Sequence, residues 1–400
     1  MKFSVVLVAL TAGTSIAHPG MSKAMADIQE IQARDGRSGP STEMIGDLMG
    51  LDDRRLTPTG RDIKNILSGR GNPQNTVASY WLGAPRLGGL FCRMDQCCVW
   101  KHIANEMRDM MVGDAGRCNN LARASIRLGF HDAATWSKDT GGTGADGSIV
   151  LTAECARVPE NNGLAEVCAQ MKTWHDKYKG YGVSMADLIQ FAANVATVSC
   201  PLGPRIKKTY IGRKDNAVEP PRNLLPSPFH SADRLLQLFA DKTFTADGLI
   251  ALMGAHSTSQ QRFVNRTRPG DPQDSTPGVW DVKYYGETID ANAPQRVFKF
   301  QSDVNLANDA RTCAAWESFI PEASQGAWNH AYAAEYVRMS LLGVYNINSL
   351  TDCTKALPPF QRSYSSSDES VIDRFMHGLI GSVQKVKDLL LKGDKVPSNI

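Results

Sequence analysis

The sequence predicts a mainly α-helical globular protein. Apolar residues recur at the three- and four-residue spacing of helices around residues 121–130, 184–198, 249–256 and 371–383. We find no internal repeat and no strand-rich region beside these patterns. The chain has 400 residues, of which 42% are hydrophobic and 21% are charged, which is typical of a globular protein with a sizeable core.

The first residues have the features of a secretory signal. Lys2 precedes an apolar run that ends in small residues, which predicts a signal peptide over residues 1–17 with cleavage after Ala17. No later stretch approaches the roughly 18 apolar residues of a membrane span. The net charge of +3 is too small to indicate nucleic acid or a membrane as partner. Because nine cysteines also fit an oxidising compartment, we expect a secreted, extracellular protein.

Residues 18–90 differ in composition from the rest of the chain. They are polar, punctuated by Gly, Pro and Ser, and contain no cysteine. We interpret them as an N-terminal extension or pro-segment, partly disordered, with short helical patches near residues 25–32 and 44–51. A small folded subdomain is the alternative. The main domain is predicted to span residues 91–400.

The first chemical motif lies in the helical pattern of residues 121–130. Arg127 and His131 stand four residues apart, so one turn of helix places a fixed cation beside a group that titrates near neutral pH. Asp132 points away from that face. About a dozen residues later, the loop 144–148 (GADGS) offers oxygen donors in close succession. Each feature alone fits a surface arginine, a core histidine or a Gly-rich turn, but their combination predicts a functional site.

A second motif ends the helical pattern of residues 245–256. The spacing places His256 on the apolar face, at the end of the helix. A lone histidine in such a position is usually a core residue. Here Ser257 adjoins it, and a cluster of hard oxygen donors suited to Ca²⁺ begins eighteen residues later, comprising Asp274, Thr276, the Val279 carbonyl and Asp281.

These motifs resemble the secreted fungal haem peroxidases of class II, the family that includes lignin and manganese peroxidases. That family has Arg-x-x-Phe-His-Asp followed by Gly-x-Asp-x-Ser, and the resemblance covers roughly residues 91–360. It implies a haem-peroxidase fold with two helical halves, distal (about 91–220) and proximal (about 221–360), and one haem b between them. We expect residues 361–400 to form a C-terminal tail helix, docked or mobile.

The resemblance also implies roles for the distal residues. His131 would move a proton between the two oxygens of H₂O₂, and Arg127 would stabilise charge on the leaving oxygen. Phe130 would cover the haem face. Asn161, in an N-x-G-L turn, would orient His131, and Glu154 would support Asn161, although the spacing between these two is one residue longer than expected.

On the proximal side, the resemblance implies that His256 binds the haem iron and that Asp303 accepts its other ring proton. Two Ca²⁺ ions would fix the helices that carry the two histidines. The implied ligands of the first ion are Asp132, Gly144, Asp146 and Ser148. The implied ligands of the second ion are Ser257, Asp274, Thr276, Val279 and Asp281.

A disulfide framework follows from the same resemblance. It implies the pairs Cys92–Cys98, Cys97–Cys353 and Cys118–Cys200. Cys155 and Cys168 have no clear counterpart in the family, and we expect them to pair with each other. Cys313 matches a family cysteine whose partner lies in a C-terminal tail, and because no cysteine follows Cys353 here, we expect Cys313 to be a free thiol. The sequon at Asn265 predicts a glycan.

Departures from the family's pattern concern the electron donor. Manganese-oxidising members have acids at the positions of Asn120, Ala124 and Arg262, and members that oxidise lignin units at the surface have a tryptophan at the position of Ala251. Gln273 replaces a residue that is commonly aromatic. Other tryptophans, including Trp136, Trp280 and Trp316, are better explained by core packing. We therefore expect a monomeric peroxidase that uses H₂O₂ to oxidise small phenolic or other aromatic donors.

Two alternatives remain at this point. An intracellular peroxidase of the cytochrome c class would have a tryptophan instead of Phe130 and would lack the calcium and disulfide framework. A non-catalytic secreted protein with a calcium-stabilised scaffold would be expected to have lost at least one of Arg127, His131, His256 and Asp303.

Overall fold

A computed structural model describes residues 39–74, 80, 83–205 and 208–400. The predicted signal peptide and the helical patch near residues 25–32 lie outside this part of the chain. The α-helices of the described residues are α1 (Pro58–Leu67), α2 (Leu90–Arg93), α3 (Cys98–Met111), α4 (Asn120–Ala133), α5 (Ser148–Leu151), α6 (Ala165–Tyr178), α7 (Met185–Ser199), α8 (Ala232–Ala240), α9 (Ala246–Met253), α10 (Lys283–Ile289), α11 (Gln301–Asn308), α12 (Cys313–Ser318), α13 (Gln325–Met339), α14 (Glu369–Met376) and α15 (Val383–Lys392).

The described strands are two residues long and pair antiparallel: β1 (Tyr210–Ile211) with β4 (Thr351–Asp352), and β2 (Gln260–Gln261) with β3 (Asp271–Pro272). The predicted mainly α-helical class is therefore confirmed. None of the described helices is long and apolar enough to cross a membrane.

Helix α4, which carries the first motif, packs closely against the buried helix α7. The Asn119 side chain caps α4 by accepting hydrogen bonds from two backbone N–H groups, and Ser184 caps α7. A Cβ atom at Gly129 would lie 2.3 Å from the Tyr336 hydroxyl, so glycine is needed where α4 meets its neighbours. The Gln190 side chain on α7 donates to the Gly129 carbonyl at 2.9 Å. This packing fixes the position of the helix that presents Arg127 and His131.

Helix α9 leads directly into the second motif. The Thr245 hydroxyl caps its start by accepting from the Gly248 N–H. The helix tightens into a 3₁₀ turn, Gly254–Thr258, which contains His256 and Ser257. His256 therefore lies in the 3₁₀ turn that follows α9, whereas the sequence predicted it at the end of the helix itself.

Part of the expected N-terminal extension belongs to the main hydrophobic core. Residues 39–74, called the N-terminal segment below, contribute apolar side chains to the same cluster as the helices of both motifs, including Ile45, Ile63 and Leu67. The buried Arg338 guanidinium on α13 donates to backbone carbonyls of this segment at 2.7–3.1 Å. The expectation of an extension separate from the main domain is therefore wrong for this segment. The patch predicted near residues 44–51 forms a short 3₁₀ helix, Gly46–Met49, and helix α1 was not predicted.

The C-terminal tail forms two helices instead of the single helix that we expected. Helix α14 ends before Gly378, whose φ of +75° interrupts the helical path, and α15 begins at Val383. Leu379, which the helical pattern assigned to an apolar face, is 68% exposed. The tail is docked: its apolar residues pack around Val297 in a small separate cluster. A buried ion pair between Arg117 and Asp368, at 2.5 Å, joins the tail to the segment before α4.

The structure contains the four disulfides that the sequence analysis expected. They are Cys92–Cys98, Cys97–Cys353, Cys118–Cys200 and Cys155–Cys168. Cys313 is free. The Cys118–Cys200 bridge joins the segment just before α4 to the end of α7, so it reinforces the packing between the two helices.

Candidate active site

The first group of predicted site residues meets on one face of α4. The His131 Nδ1 atom lies 2.7 Å from the Asn161 Oδ1 atom. The Asn161 amide donates in turn to the Glu154 carbonyl at 2.8 Å. This second hydrogen bond orients the amide so that its oxygen faces the imidazole. His131 therefore carries its proton on Nδ1, and no described residue hydrogen-bonds its Nε2 atom, whose lone pair is available as a base.

Glu154 supports Asn161, but not through its side chain. Its backbone carbonyl accepts the amide, whereas both carboxylate oxygens are buried without hydrogen-bond partners among the described residues. Burial raises the pKa of the Glu154 carboxyl to about 7. The longer spacing noted in the sequence does not prevent the contact, because a carbonyl can accept where the carboxylate does not reach.

Arg127 lies one helical turn before His131 and is held by backbone carbonyls. Its guanidinium donates to the Asn162 carbonyl at 2.6 Å and to the Glu160 carbonyl at 3.3 Å. Burial lowers the pKa of Arg127 to about 10, so the group stays charged at neutral pH. The loop that positions Asn161 thus also anchors Arg127.

Burial lowers the pKa of His131 well below its usual value, and the nearby charge of Arg127 lowers it further. The hydrogen bond with Asn161 acts in the opposite direction but is the smaller effect. His131 is therefore neutral at rest. Phe130 packs edge-on against the His131 ring and stacks with Phe239, which fixes it beside the catalytic candidate.

The four residues predicted for the first Ca²⁺ lie together behind this helix face. Asp132 is fully buried and accepts from the Gly147 N–H at 3.2 Å, and Asp146 accepts from the Ser148 N–H and from the Asn216 amide. Gly144 has a φ of +88°, a conformation that favours glycine. Burial raises the pKa of Asp132, and the charge of Asp146 raises it further. Two buried carboxylates so close together would be stabilised by a bound cation.

The second histidine has a carboxylate partner. His256 Nδ1 lies 3.0 Å from Asp303 Oδ2, and Asp303 is buried. Because a carboxylate accepts, His256 carries its proton on Nδ1, which leaves the lone pair of Nε2 for a metal ion. No described residue hydrogen-bonds that Nε2 atom, and the side chain is 33% exposed. These features fit a histidine that would bind the iron of a haem.

Two further residues complete this arrangement, and the sequence analysis missed both. The Tyr284 hydroxyl donates to Asp303 Oδ2 at 2.9 Å, and the Ser302 hydroxyl donates to Oδ1 at 2.9 Å. The Tyr284 and Phe300 rings also pack edge-on against the His256 ring. Ser302 adjoins Asp303 in sequence and offered a weak local signal, but no local pattern marks Tyr284.

The five residues predicted for the second Ca²⁺ also come together, next to His256. The Ser257 hydroxyl donates to the Val279 carbonyl at 3.0 Å, and the Thr276 hydroxyl donates to Asp281 Oδ2 at 2.8 Å. Asp274 Oδ2 is buried and has no hydrogen-bond partner among the described residues. Burial raises the pKa of Asp281 to about 6. The unpartnered carboxylate oxygen is a specific sign that a cation fits this cluster.

Of the three positions compared with manganese-oxidising members in the sequence, Asn120 and Arg262 lie close together, and Ala124 is apolar and partly buried. The Arg262 guanidinium lies 3.4 Å from Asn120 Oδ1. Arg123, one turn before Arg127, is buried, and burial together with the charge of Arg262 lowers its pKa to about 9. Ala251 is buried below the surface, with its carbonyl accepting from the Trp328 indole.

The remaining predicted residues are placed as follows. Trp280 and Trp316 are fully buried in the core, and Trp136 is partly buried. Gln273 accepts a hydrogen bond from the Ser259 hydroxyl, two residues beyond Ser257. Asn265 is partly exposed, and its side-chain oxygen accepts from the Thr267 N–H at 2.9 Å.

The part of the sequence that contains this site matches known proteins. The profile of the family described as peroxidase matches residues 103–321, which include both histidines and both carboxylate clusters. A peroxidase from Arthromyces ramosus is 31% identical over 293 residues, which are 68% of this chain and 78% of the relative. Manganese peroxidase 3 of Phlebia radiata is 31% identical over 66% of this chain and 77% of its own. Ligninase LG2 of Phanerodontia chrysosporium is 32% identical, with 66% and 75% covered.

Proposed function

Because this chain belongs to the peroxidase family, as a relative of the fungal class II enzymes, we propose that it is a secreted haem peroxidase that oxidises small phenolic or other aromatic donors. The observation that carries this proposal is that both histidines use the same ring nitrogen to bind their partners. Each binds a partner through Nδ1, so each leaves the lone pair of Nε2 free. One can act as a base and the other as a metal ligand.

The distal residues would handle the protons of H₂O₂. His131 Nε2, which is neutral because burial and Arg127 lower the pKa of the imidazole, would accept a proton from one peroxide oxygen. The protonated ring would then donate that proton to the other oxygen, which leaves as water. Arg127 would stabilise the negative charge that develops on the leaving oxygen. Phe130 would keep bulky donors away from the reacting atoms.

The proximal residues would hold one haem b through His256. When bound, the haem would supply the iron that reduces the peroxide and that then takes electrons from the donor. Asp303 would make His256 a stronger ligand by accepting the hydrogen bond of its Nδ1–H group. The hydroxyl donors of Tyr284 and Ser302 would hold that carboxylate in a fixed orientation.

Two Ca²⁺ ions would hold the segments that carry the histidines. The clusters around Asp132 and Asp274 contain buried carboxylates whose protonation a bound cation would remove. Chelation should therefore loosen the haem pocket before the core unfolds. Full activity after chelation, in protein shown to have lost its calcium, would contradict this part of the proposal.

Donor choice follows from the charges near Arg262. Mn²⁺ needs carboxylate ligands, whereas this edge presents Arg262 beside Asn120 and the buried Arg123. We therefore propose that Mn²⁺ is not a donor. The absence of a tryptophan at Ala251 favours donors that reach the haem edge over donors oxidised at the surface by that route.

The proposal includes secretion, one chain per active molecule and a glycan at Asn265. Four disulfides are consistent with an oxidising compartment. The partly exposed Asn265 is compatible with glycosylation. A mass spectrum of the secreted protein would report the cleavage site and the glycan together.

The decisive experiment is an absorption spectrum of the purified, haem-reconstituted, calcium-loaded protein before and after one equivalent of H₂O₂. We expect the Soret band to drop and shift, and then to recover on addition of guaiacol but not of Mn²⁺. Recovery with Mn²⁺ would contradict the donor proposal alone. A Soret band that does not respond to H₂O₂ would contradict the catalytic roles of His131 and Arg127. Folded protein that binds no haem would favour the alternative of a non-catalytic, calcium-stabilised scaffold.

A further inference from the structure

Four cationic side chains that belong to neither histidine motif form a group. This basic cluster consists of Lys101 and Arg108 on α3, Arg205 after α7, and Arg362 in the segment before α14. Lys101 and Arg108 are seven residues apart, so two helical turns place them on the same face of α3. The Phe360 ring centroid lies 4.9 Å from the guanidinium carbon of Arg205 and 4.9 Å from that of Arg362.

The cluster has no internal charge compensation. None of its four members forms an ion pair with a carboxylate of the described residues. Burial lowers the pKa of Lys101, and the charges of Arg108 and Arg205 lower it further. Burial likewise lowers the pKa of Arg205, and the charge of Arg362 adds to this effect. Lys101 and Arg205 therefore lie close enough to other cations to experience their repulsion, which a bound anion would relieve.

Arg205 makes the strongest case for a missing partner. Its side chain is buried, with 8% of the residue exposed, and its Nε atom has no hydrogen-bond partner among the described residues. A buried guanidinium N–H without an acceptor is costly, because water cannot replace the lost hydrogen bond. The ring of Phe360 offers a favourable face to this cation, but no acceptor for its N–H.

Other members of the cluster are held in place by neutral acceptors. Arg108 donates to the Gln361 side chain at 3.0 Å, and the Lys101 ammonium lies 3.5 Å from the Leu357 carbonyl. The Gln361 backbone is itself bonded to Val198 and Leu202. The cations are therefore positioned by a framework that leaves their charge unneutralised.

We propose that the basic cluster binds a small tetrahedral oxyanion, sulfate or phosphate. Guanidinium groups match the geometry of such oxyanions and bind them by charge-assisted hydrogen bonds. Arg205 is buried and only Arg362 is exposed, so the cluster favours a small anion over an extended polyanion. A bound anion would connect α3, the segment after α7 and the segment that leads into α14.

The test is thermal unfolding of the calcium-loaded full chain at low ionic strength, titrated with sodium sulfate and, at equal ionic strength, with sodium chloride. We expect a saturable rise of Tm at low sulfate concentration, of at least about 1 °C at ten times Kd, and a smaller, non-saturating effect of chloride. Calorimetric titration with sulfate should give one site per chain. Equal effects of the two salts, or no calorimetric site, would overturn the proposal.

Two variants separate anion binding from simple packing. Arg362→Gln and Lys101→Gln each keep a polar side chain, and each should weaken sulfate binding by roughly tenfold. Without sulfate, Arg362→Gln should have a Tm equal to or above that of the unmodified protein, because the repulsion is relieved. Arg374→Gln removes an exposed arginine of α14 and should leave sulfate binding unchanged. Sulfate binding that persists in both cluster variants would refute the site.

Discussion

Both histidines form their side-chain hydrogen bond through the ring nitrogen Nδ1, but the partners differ. His131 lies 2.7 Å from a neutral amide oxygen, whereas His256 lies 3.0 Å from a carboxylate that two hydroxyl groups support. The amide orients its ring without adding charge. The carboxylate adds a full negative charge behind the ring. In the proposed mechanism the partner of each ring, and not the histidine itself, determines which histidine would act as a base and which as a metal ligand.

The surroundings reinforce this difference. Burial lowers the pKa of the His131 imidazole, and the charge of Arg127 on the same helix face lowers it further, which keeps the ring neutral. The neighbouring rings of His256 are those of Tyr284 and Phe300, and its hydrogen-bond partner is the Asp303 carboxylate. Substitutions that remove or exchange the two partners test whether this comparison explains the chemistry.

The largest effect is expected for His131→Leu. Loss of the base should lower the rate of reaction with H₂O₂ by roughly 10²–10⁴-fold, measured by stopped-flow absorbance. His377→Leu, in an exposed position at the end of α14, should leave the rate unchanged. A loss of less than tenfold in His131→Leu protein with normal haem content would mean that another group accepts the proton.

Asp303→Asn makes the proximal partner resemble the distal one. An amide can still accept from Nδ1, but the negative charge is lost, so we expect haem affinity or activity to fall by about 10–100-fold and the reduction potential of the iron to rise. Tyr284→Phe removes one donor from the same carboxylate and should shift the potential slightly in the opposite direction. Identical potentials in the three proteins would show that Asp303 serves only to pack the site.

Asn161→Asp is the reciprocal exchange. A carboxylate beside His131 should raise the pKa of the imidazole by about 1–3 units, because it stabilises the charged ring. The reaction with H₂O₂ needs the neutral ring, so the decline of the rate at acid pH should move to higher pH by a similar amount. The pH profile of the H₂O₂ reaction measures this shift, and an unchanged acid limb would argue against the proposed base.

The smallest effect on activity is expected for Glu154→Gln. The Glu154 carbonyl, which holds Asn161, is retained, so the rate should not change. Burial raises the pKa of this carboxyl to about 7 in the folded protein, above its unfolded value. The folded state therefore binds the proton more tightly, and the stability this provides is lost as the pH rises from about 4.5 through 7. Denaturant unfolding should show the variant to be more stable at pH 8, by on the order of 1–2 kcal/mol, and similar at pH 4.5. If the variant were instead less stable than the unmodified protein at pH 8, the Glu154 carboxylate would have to make a favourable contact in the folded state.

Much of the site was visible in the sequence because its residues follow local rules. The four-residue step from Arg127 to His131 fixes a common helix face, and capping residues such as Ser184 and Thr245 mark helix starts. The oxygen donors of the loops 144–148 and 274–281 follow one another closely in the sequence, and the resemblance added Asp132 and Ser257 to them. The family resemblance supplied the pairing of distant segments, such as Asp303 with His256.

What the sequence did not predict depends on contacts between distant residues. Tyr284 reaches Asp303 through the packing of α10 against α11, and no local pattern announces it. The N-terminal segment has a polar composition that indicated disorder, yet its few apolar side chains fill gaps in a core built by other helices. The break between α14 and α15 depends on the positive φ of Gly378. The periodic spacing of the apolar residues around it gives no sign of this break.

The attachment of the N-terminal segment limits how far the chain can be shortened. A recombinant protein starting at residue 91 would leave the buried Arg338 guanidinium without three of its carbonyl acceptors, those of Ser41, Glu43 and Leu67. It would also expose the apolar surface that Ile63 and Leu67 cover. A maturation protease that spares these contacts would have to cut before Ser41. Cleavage at the exposed pair Arg54-Arg55, which ends the 3₁₀ helix Asp53–Arg55, would remove the Ser41 and Glu43 acceptors.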